Sequence, residues 1–234
     1  MMGLPISGAH MKQHQTPVYQ LSITKEALAS LPPACYHGNI RVIDNEDGLA
    51  EALRDLEQSG VVGFDTETRP SFRKGHTNTV ALLQLSTGST CYLIRLNRIG
   101  LTPGIKRLLE DDSILKIGLS IHDDFHNLNI LSKIEPKGFI DLQQYVKAYR
   151  IADNSLARIY AIIFGRRISK GQRLTNWEAD SLTSNQQAYA ALDALACIEI
   201  YRELESGNFD PEASQYKVYP QEEEETSDVN DMQP

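Results

Sequence analysis

Two acidic residues separated by one position, Asp65 and Glu67, directly follow an apolar run at residues 61–64. The run predicts a buried β-strand, and because side chains alternate along a strand, the two carboxylates should point to the same face. Like charges at the end of a buried strand repel each other and are costly to remove from water. A pair of divalent cations would remove both costs, so this strand end predicts a metal site suited to phosphodiester chemistry.

A third acid, Asp124, lies near the start of a predicted helix that follows another apolar strand. A helical wheel places Phe125, Leu128 and Leu131 in one inward stripe. Asp124 falls inside this stripe, whereas its neighbour Asp123 falls on the opposite side of the helix. Since an acid in the buried stripe of a helix needs a partner, we assign the metal-ligand role to Asp124 and a solvent-facing position to Asp123.

The last long helix supplies a fourth acid. Tyr189 and Asp193 are four positions apart, so they share one face of this helix. Their neighbours are mostly alanine and leucine, which predicts a buried and closely packed helix. Asp193 would complete a set of four carboxylates. Tyr189 would lie one turn earlier on the same side, where its hydroxyl could position the attacking water or help to activate it.

Each of these residues also has an ordinary explanation. Asp65 and Glu67 could be solvated acids beyond a strand end, and Asp124 could accept hydrogen bonds from free N–H groups at a helix N-terminus. Asp193 could pair with a backbone group or an arginine in the core, and Tyr189 could be a core tyrosine. The occurrence of all of them in order along one chain favours the metal site.

These residues also match, in order, the three exonuclease motifs of the DEDD superfamily of 3′–5′ exonucleases, which the chain resembles. The matching segments are Phe64-Asp65-Thr66-Glu67, Gly118-Leu119-Ser120-Ile121-His122-Asp123-Asp124 and Tyr189-Ala190-Ala191-Leu192-Asp193. The tyrosine four positions before the last acid matches the tyrosine subclass, and Ala188 stands where the histidine subclass has its histidine. Further segments that look like the Werner-syndrome-type and ribonuclease D exonuclease domains are Val80-Ala-Leu-Leu-Gln84-Leu, Asn176-Trp177 and Leu182-Thr-Ser-Asn-Gln186-Gln-Ala-Tyr189.

The resemblance implies an α/β, ribonuclease-H-like fold with a mixed five-stranded sheet flanked by helices. It also implies two Mg²⁺ or Mn²⁺ ions and hydrolysis of the terminal phosphodiester at a 3′ end, with release of 5′-mononucleotides. Carried over by motif, the metal ligands would be Asp65, Glu67, Asp124 and Asp193, and Tyr189 would serve the water. We expect single-stranded or frayed nucleic acid as substrate, because the terminal nucleotide must reach a site deep at the edge of the sheet.

Apolar runs and turn signals predict alternating strands and helices, which indicates a mixed sheet covered by helices. The predicted strands are at residues 40–43, 61–65, 79–86, 90–94, 114–119 and 139–140. The main predicted helices are at residues 121–131, 141–149, 156–164 and 184–204. We expect a disordered or non-native segment at residues 1–20, an exonuclease domain at residues 21–209 and an acidic disordered tail at residues 210–234.

The net charge of −8 argues at first against a nucleic-acid partner, but residues 221–234 contain six of the acids and no base. Residues 150–173 contain six bases and one acid, and such a stretch can bind phosphates whatever the total charge. The residues expected to contact nucleic acid are Arg166, Arg167, Lys170 and Arg173 and, on the loop after the first motif, Phe72, Arg73 and Lys74. A charged run can equally be a solvated face, and Phe72 taken alone fits a residue that packs its loop better than one that contacts nucleic acid.

Composition sets further limits. No apolar run approaches the ~20 residues of a membrane span, and the first residues lack a signal-peptide core, so we expect no membrane contact and a cytoplasmic location. Three scattered cysteines without metal-ligand spacing indicate reduced, structural thiols. The main alternative function is a non-catalytic nucleic-acid-binding or adaptor module on the same fold. The residues assign neither DNA nor RNA as the substrate, and they indicate no particular protein partner.

Overall fold

The structure is a computed structural model, and it describes residues 18–71 and 78–220. The strands are β1 (Gln20–Leu21), β2 (Asn39–Ile43), β3 (Val61–Thr68), β4 (Val80–Ser86), β5 (Thr90–Ile94), β6 (Leu115–Gly118), β7 (Phe139–Asp141) and β8 (Lys217–Val218). The α-helices are α1 (Lys25–Ser30), α2 (Glu46–Ser59), α3 (Leu96–Ile99), α4 (Pro103–Glu110), α5 (Ile121–Leu131), α6 (Leu142–Tyr145), α7 (Leu156–Phe164) and α8 (Ser184–Glu205). Short 3-10 helices lie at Val146–Tyr149 and Pro211–Ala213. Within the described ranges, none of the helices combines the length and the apolar composition that a bilayer span requires.

Six strands form one mixed sheet in the order β2-β5-β4-β3-β6-β7. β2 is parallel to β5, and β3, β6 and β7 are parallel to one another, whereas β4 is antiparallel to both of its neighbours. The expectation of a mixed sheet flanked by helices is confirmed, but the described sheet has six strands and not five. Each of the six apolar segments predicted as a strand lies in this sheet, so the lower count came from the resemblance and not from the residues.

Helices cover both faces of the sheet and determine where the acids lie. One core packs α2, α4 and α5 against the face that contains Phe64, and two further clusters pack α7 and α8 against the other face. Gly63 explains the close approach of α8, because a Cβ at this position would lie 1.8 Å from the carbonyl oxygen of Ala194. The missing side chain lets the backbone of α8 rest directly on β3. The neighbouring Asp193 is thereby brought towards the end of that strand.

Regular structure continues beyond residue 209, where we placed the domain boundary. Residues 211–213 form a 3-10 helix, and β8 pairs antiparallel with β1. The buried ring of Tyr19 lies under the cations of Arg150 and Lys217, at 4.4 and 4.8 Å from the ring centroid. Both ends of the described chain therefore meet on the body of the domain. Residues 1–17 and 221–234 lie outside the described residues.

Candidate active site

The carboxyl end of β3 carries two of the predicted ligands, and α8 brings a third. Asp65, Glu67 and Asp193 each place one carboxylate oxygen within 4.8 Å of those of the other two. Glu67 and Asp193 are 8% and 7% exposed, and Asp65 is half-buried. Three oxygens gathered in this way, with little water to screen their repulsion, form a group that a divalent cation could bind. We refer to these three residues as the acid cluster.

Burial raises the pKa of every carboxyl group in the acid cluster, and the charges of neighbouring acids raise the pKa of Asp65 and Glu67 further. Burial, followed by the charges of Asp193 and Asp124, raises the pKa of Glu67 to about 9. Burial also raises the pKa of Asp193 to about 7, and the pKa of Asp65 rises well above its ordinary value for the same reason. A nearby cation would restore the charged forms, and donors that are all oxygen favour Mg²⁺ or Mn²⁺. The residues present therefore fit a divalent metal.

Asp124 lies beside the acid cluster but outside it. It is in the first turn of α5, and its carboxylate accepts a hydrogen bond from the hydroxyl of Thr66. Its charge contributes to the raised pKa of both Asp65 and Glu67, and burial raises its own pKa to about 7. The side chain of Asp123 is 89% exposed. The structure thus brings all four predicted acids to one strand end, three in direct proximity and Asp124 alongside them.

Local backbone geometry leaves this strand end accessible. β6 pairs with β3 only as far as Gly63, so within the described chain the next residues of β3 have no strand partner on that side. The chain leaves β6 through Ser120, whose φ of +59° is left-handed. The backbone N–H of Ser120 donates to the carboxylate of Asp141 at 3.1 Å, and the N–H of Gln143 donates to the same oxygen at 2.9 Å. This turn directs α5 towards the residues of β3 that follow Gly63 and have no partner on the β6 side, which places Asp124 there.

A cavity of about 260 Å³ opens beside the acid cluster, and we refer to it as the acidic cavity. Asp65, Asp193, Tyr189, Lys170 and Arg173 form part of its wall. The hydroxyl of Tyr189 and the charge of Lys170 both lower the pKa of Asp193 against the larger effect of burial, and Arg173 lowers that of Glu67. A phosphate entering this cavity would meet two basic side chains, whereas the acids would repel it unless divalent cations were bound.

The sequence of the chain is similar to those of known proteins. The protein family described as 3′-5′ exonuclease matches residues 40–207. The chain belongs to this family. The mouse bifunctional 3′-5′ exonuclease/ATP-dependent helicase WRN is 33% identical to it over 174 residues, which are 72% of this chain and 12% of that protein. The chain spans 12%, 26% and 56% of the length of the first three curated relatives that it matches.

Solved structures support the same fold. Escherichia coli RNase D, an exoribonuclease, superposes on this exonuclease-family chain with a TM-score of 0.61 at 27% identity, covering 72% of this chain and 44% of that one. The EXO domain of Aedes aegypti Nibbler superposes with a TM-score of 0.65 at 24% identity, covering 76% of this chain and 96% of that domain. At this lower identity the likeness concerns the fold alone. The ribonuclease-H-like fold expected from the sequence is confirmed.

Two of the other predicted nucleic-acid contacts, Arg166 and Arg167, are not among the residues that line the acidic cavity. Arg166 is exposed and lines a separate cavity between α7 and the C-terminal half of α8. Arg167 pairs through its backbone with an earlier segment: its N–H donates to the carbonyl of Pro32, and its carbonyl accepts from the N–H of Ala34, both at 2.9 Å. Phe72, Arg73 and Lys74 lie outside the described residues. The basic stretch is therefore divided, with Lys170 and Arg173 facing the acids.

Three residues beside the acids were assigned no role from the sequence: Thr66, Gln84 and Asp141. Gln84 is opposite Asp65 in the β3–β4 pairing, and cross-strand neighbours share a face. Its side chain is fully buried, and its amide has no hydrogen-bond partner among the described residues. A signal for Thr66 was present, because a residue between two same-facing acids must point to the opposite face. The positions of Gln84 and Asp141 depend on strand register and order, which the sequence does not reveal.

Proposed function

We propose that this chain is a metal-dependent 3′–5′ exonuclease of the tyrosine subclass. It would hydrolyse the terminal phosphodiester of single-stranded or frayed nucleic acid and release 5′-mononucleotides. The observation that carries the proposal is the acid cluster of Asp65, Glu67 and Asp193, whose oxygens lie within 4.8 Å of one another beside a cavity lined by Tyr189. Family membership supports the class of reaction. A binding module would have no need to retain such closely placed, buried carboxyl groups.

Three sets of side chains at or beside the acidic cavity would take part in this reaction. The acid cluster and Asp124 would hold two Mg²⁺ or Mn²⁺ ions, which when bound supply Lewis-acid activation of water and charge stabilisation at the departing 3′ oxygen. The hydroxyl of Tyr189, one helical turn before Asp193, orients the attacking water by hydrogen bonding. Lys170 and Arg173 contact the phosphate oxygens and hold the scissile group between themselves and the acids. The terminal nucleotide would enter unpaired, because it must reach carboxyl groups that are largely buried at the end of β3.

Degradation of a 5′-labelled single-stranded oligonucleotide tests this proposal. With Mg²⁺ or Mn²⁺ we expect a ladder of products shortened one nucleotide at a time from the 3′ end, together with 5′-mononucleotides. EDTA and the substitution Asp65→Asn should each abolish shortening, whereas Asp123→Asn should retain it. Binding without shortening under either metal, with Asp65→Asn behaving like the parent, would instead identify a non-catalytic nucleic-acid-binding module. Matched DNA and RNA strands of several lengths in the same assay would assign the sugar and the preferred length.

A further inference from the structure

A second cavity, of about 380 Å³, lies on the other side of Tyr189 from the acid cluster, and we refer to it as the neutral cavity. Tyr189 lines both cavities. On α8, Asp193 lies one turn after Tyr189 and faces the acidic cavity, whereas Asn185 and Leu192 belong to the adjacent stripe of the helix and face the neutral cavity. The side chain of Tyr189 is therefore the partition between two neighbouring spaces.

The loop at residues 168–173 lines both cavities, but its charged side chains line only the acidic cavity. Lys170 and Arg173 line the acidic cavity, whereas Ser169 and Gln172 line the neutral cavity. Among the described residues that line the neutral cavity, none carries a charged side chain. A phosphate is therefore favoured on the acidic side, and an uncharged group with hydrogen-bonding edges is favoured on the neutral side.

The neutral cavity has the groups that recognise a nucleobase. Within residues 18–71 and 78–220, no hydrogen bond uses the side-chain amide of Gln172 or Asn185, so each can pair with a ligand. An amide offers a donor and an acceptor side by side, which matches the edge of a base. The walls also contain the rings of Tyr36 and Tyr189, and aromatic rings are surfaces on which bases stack.

One wall of the neutral cavity is contributed by a segment outside the region that matches the exonuclease family. Residues 34–36 precede residue 40, where the family match begins. Backbone hydrogen bonds from Arg167 to Pro32 and from Ala34 to Arg167 hold this segment against the loop that carries Gln172. The cavity is thus built by residues 34–36 together with the loop and α8.

We propose that the neutral cavity binds the base of a nucleotide that flanks the scissile phosphate, while that phosphate occupies the acidic cavity and Tyr189 lies between the two. The inference rests on the proposed exonuclease function and adds a base-binding subsite to it. Such a subsite would make the unpaired base, and not only the sugar-phosphate backbone, a determinant of substrate affinity. Gln172 and Asn185 would contact the edge of the base, and Tyr36 or Tyr189 its face.

Oligonucleotides with and without bases at the 3′ end test the subsite. For the double substitution Gln172→Ala and Asn185→Ala, we expect KM on an ordinary single strand to rise roughly ten-fold with kcat changed less than about two-fold. On a strand whose last two nucleotides are abasic, parent and double variant should have the same KM. Gln58→Ala, an exposed amide on α2 across the sheet, is the matched control and should behave like the parent. An unchanged KM, or a rise that persists on the abasic strand, would overturn the subsite.

Chemical modification gives an independent readout. Cys35 lines the neutral cavity and is exposed, whereas Cys91 and Cys197 are buried, so a bulky maleimide should react at Cys35 alone. The adduct should raise KM for the ordinary strand and leave KM for the abasic strand unchanged, and Cys35→Ser should remove the sensitivity to the reagent. An unchanged KM for the ordinary strand after modification of Cys35 would contradict the subsite.

Failure of the subsite can be distinguished from failure of the proposed reaction. A parent that shortens no strand refutes the exonuclease, and the subsite is then decided by binding of fluorescein-labelled ordinary and abasic strands. In that assay the double variant should lose affinity only for the ordinary strand. Equal affinities of parent and double variant for both strands would refute the subsite. A parent that shortens strands at the same KM as the double variant would refute the subsite and leave the reaction standing.

Discussion

The hydroxyl of Thr66 donates a hydrogen bond to the carboxylate of Asp124, and this contact joins the first turn of α5 to the strand end that carries Asp65 and Glu67. Because side chains alternate along β3, Thr66 faces away from the two acids. Asp124 therefore approaches the strand end from the α5 side of the sheet, whereas Asp193 approaches it from the α8 side. Helices on both faces of the sheet contribute to one site, and Thr66 connects the α5 side to it.

The two neighbouring acids of α5 should differ sharply in their effect on activity. Removing the charge of Asp124 with Asp124→Asn should lower kcat by more than roughly 100-fold, since even substitutions behind a metal ligand commonly cost 10- to 100-fold. Asp123, which is exposed, should tolerate Asp123→Asn with less than about a two-fold change. Single-turnover rates on a labelled oligonucleotide measure both. Similar losses for the two variants would contradict the assignment of Asp124 as the ligand.

The role of Thr66 as a positioning residue can be separated from its bulk. Thr66→Val retains the shape but removes the hydroxyl that holds Asp124, so we expect roughly a ten-fold loss of activity and a higher Mn²⁺ concentration for half-maximal rate. Thr66→Ser keeps the hydroxyl and should recover most of the activity. Titration of the rate with Mn²⁺ measures the effect. If the valine and serine variants need the same metal concentration, the hydrogen bond does not position Asp124.

The acids were predictable because their placement follows short periods in the sequence. The alternation of a strand places Asp65 and Glu67 together, and the helical wheel separates the half-buried Asp124 from the exposed Asp123. Spacing by four places Tyr189 and Asp193 on one face of α8, where both line the acidic cavity. These relationships are local, so each could be read from a few consecutive residues. That these residues perform catalysis remains a prediction.

Features that depend on contacts between distant segments were not predictable. The position of Gln84 opposite Asp65 follows from the pairing register of β3 and β4. The division of the basic loop, with Lys170 and Arg173 at the acidic cavity and Arg166 elsewhere, has no sequence signal because an irregular loop has no period. The pairing of β1 with β8 was also missed, since two-residue strands are too short for any pattern.

The acid cluster should make the stability of the metal-free protein fall as pH rises. The pKa of Glu67 is raised to about 9 and that of Asp193 to about 7, so between about pH 4 and 9 the folded state binds more protons than the unfolded chain. Stability is therefore lost across this window as pH increases. Mn²⁺ should restore it, with a larger increase in Tm at pH 8.5 than at pH 6. Thermal unfolding in EDTA and in Mn²⁺ at the two pH values measures this.

A variant comparison assigns that pH dependence to the cluster. Glu67→Gln cannot ionise, so its Tm in EDTA should be higher than that of the parent at pH 8.5, less dependent on pH, and less responsive to Mn²⁺. Asp123→Asn removes an exposed acid and should leave the pH dependence of the parent in place. If Glu67→Gln and the parent show the same pH dependence, burial of the cluster is not its source.

The divided basic stretch predicts unequal effects of its members on substrate binding. Lys170→Ala and Arg173→Ala should each raise KM, because both side chains face the acidic cavity. Each should also reduce the slope of the logarithm of the binding constant against the logarithm of the salt concentration by about one, the contribution of one phosphate contact. Arg166→Ala should change KM less than about two-fold, since Arg166 lines a separate cavity. Binding of a labelled single strand across a series of salt concentrations measures the slopes. Equal slopes for all three variants would mean that the strand extends over Arg166 as well.

Gly63 should be intolerant of any side chain, because the site depends on the contact between β3 and α8. In Gly63→Ala the new Cβ would lie 1.8 Å from the carbonyl oxygen of Ala194, so α8 must move away and take Asp193 with it. We expect a loss of more than about 2 kcal/mol in the free energy of unfolding by urea. The fraction of the variant that folds should bind Mn²⁺ more weakly than the parent. Gly48→Ala in α2 is the matched control, since its nearest contact would be an ordinary 3.4 Å and alanine favours a helix. Parental stability and metal affinity in Gly63→Ala would show that the close packing of α8 on β3 does not position Asp193.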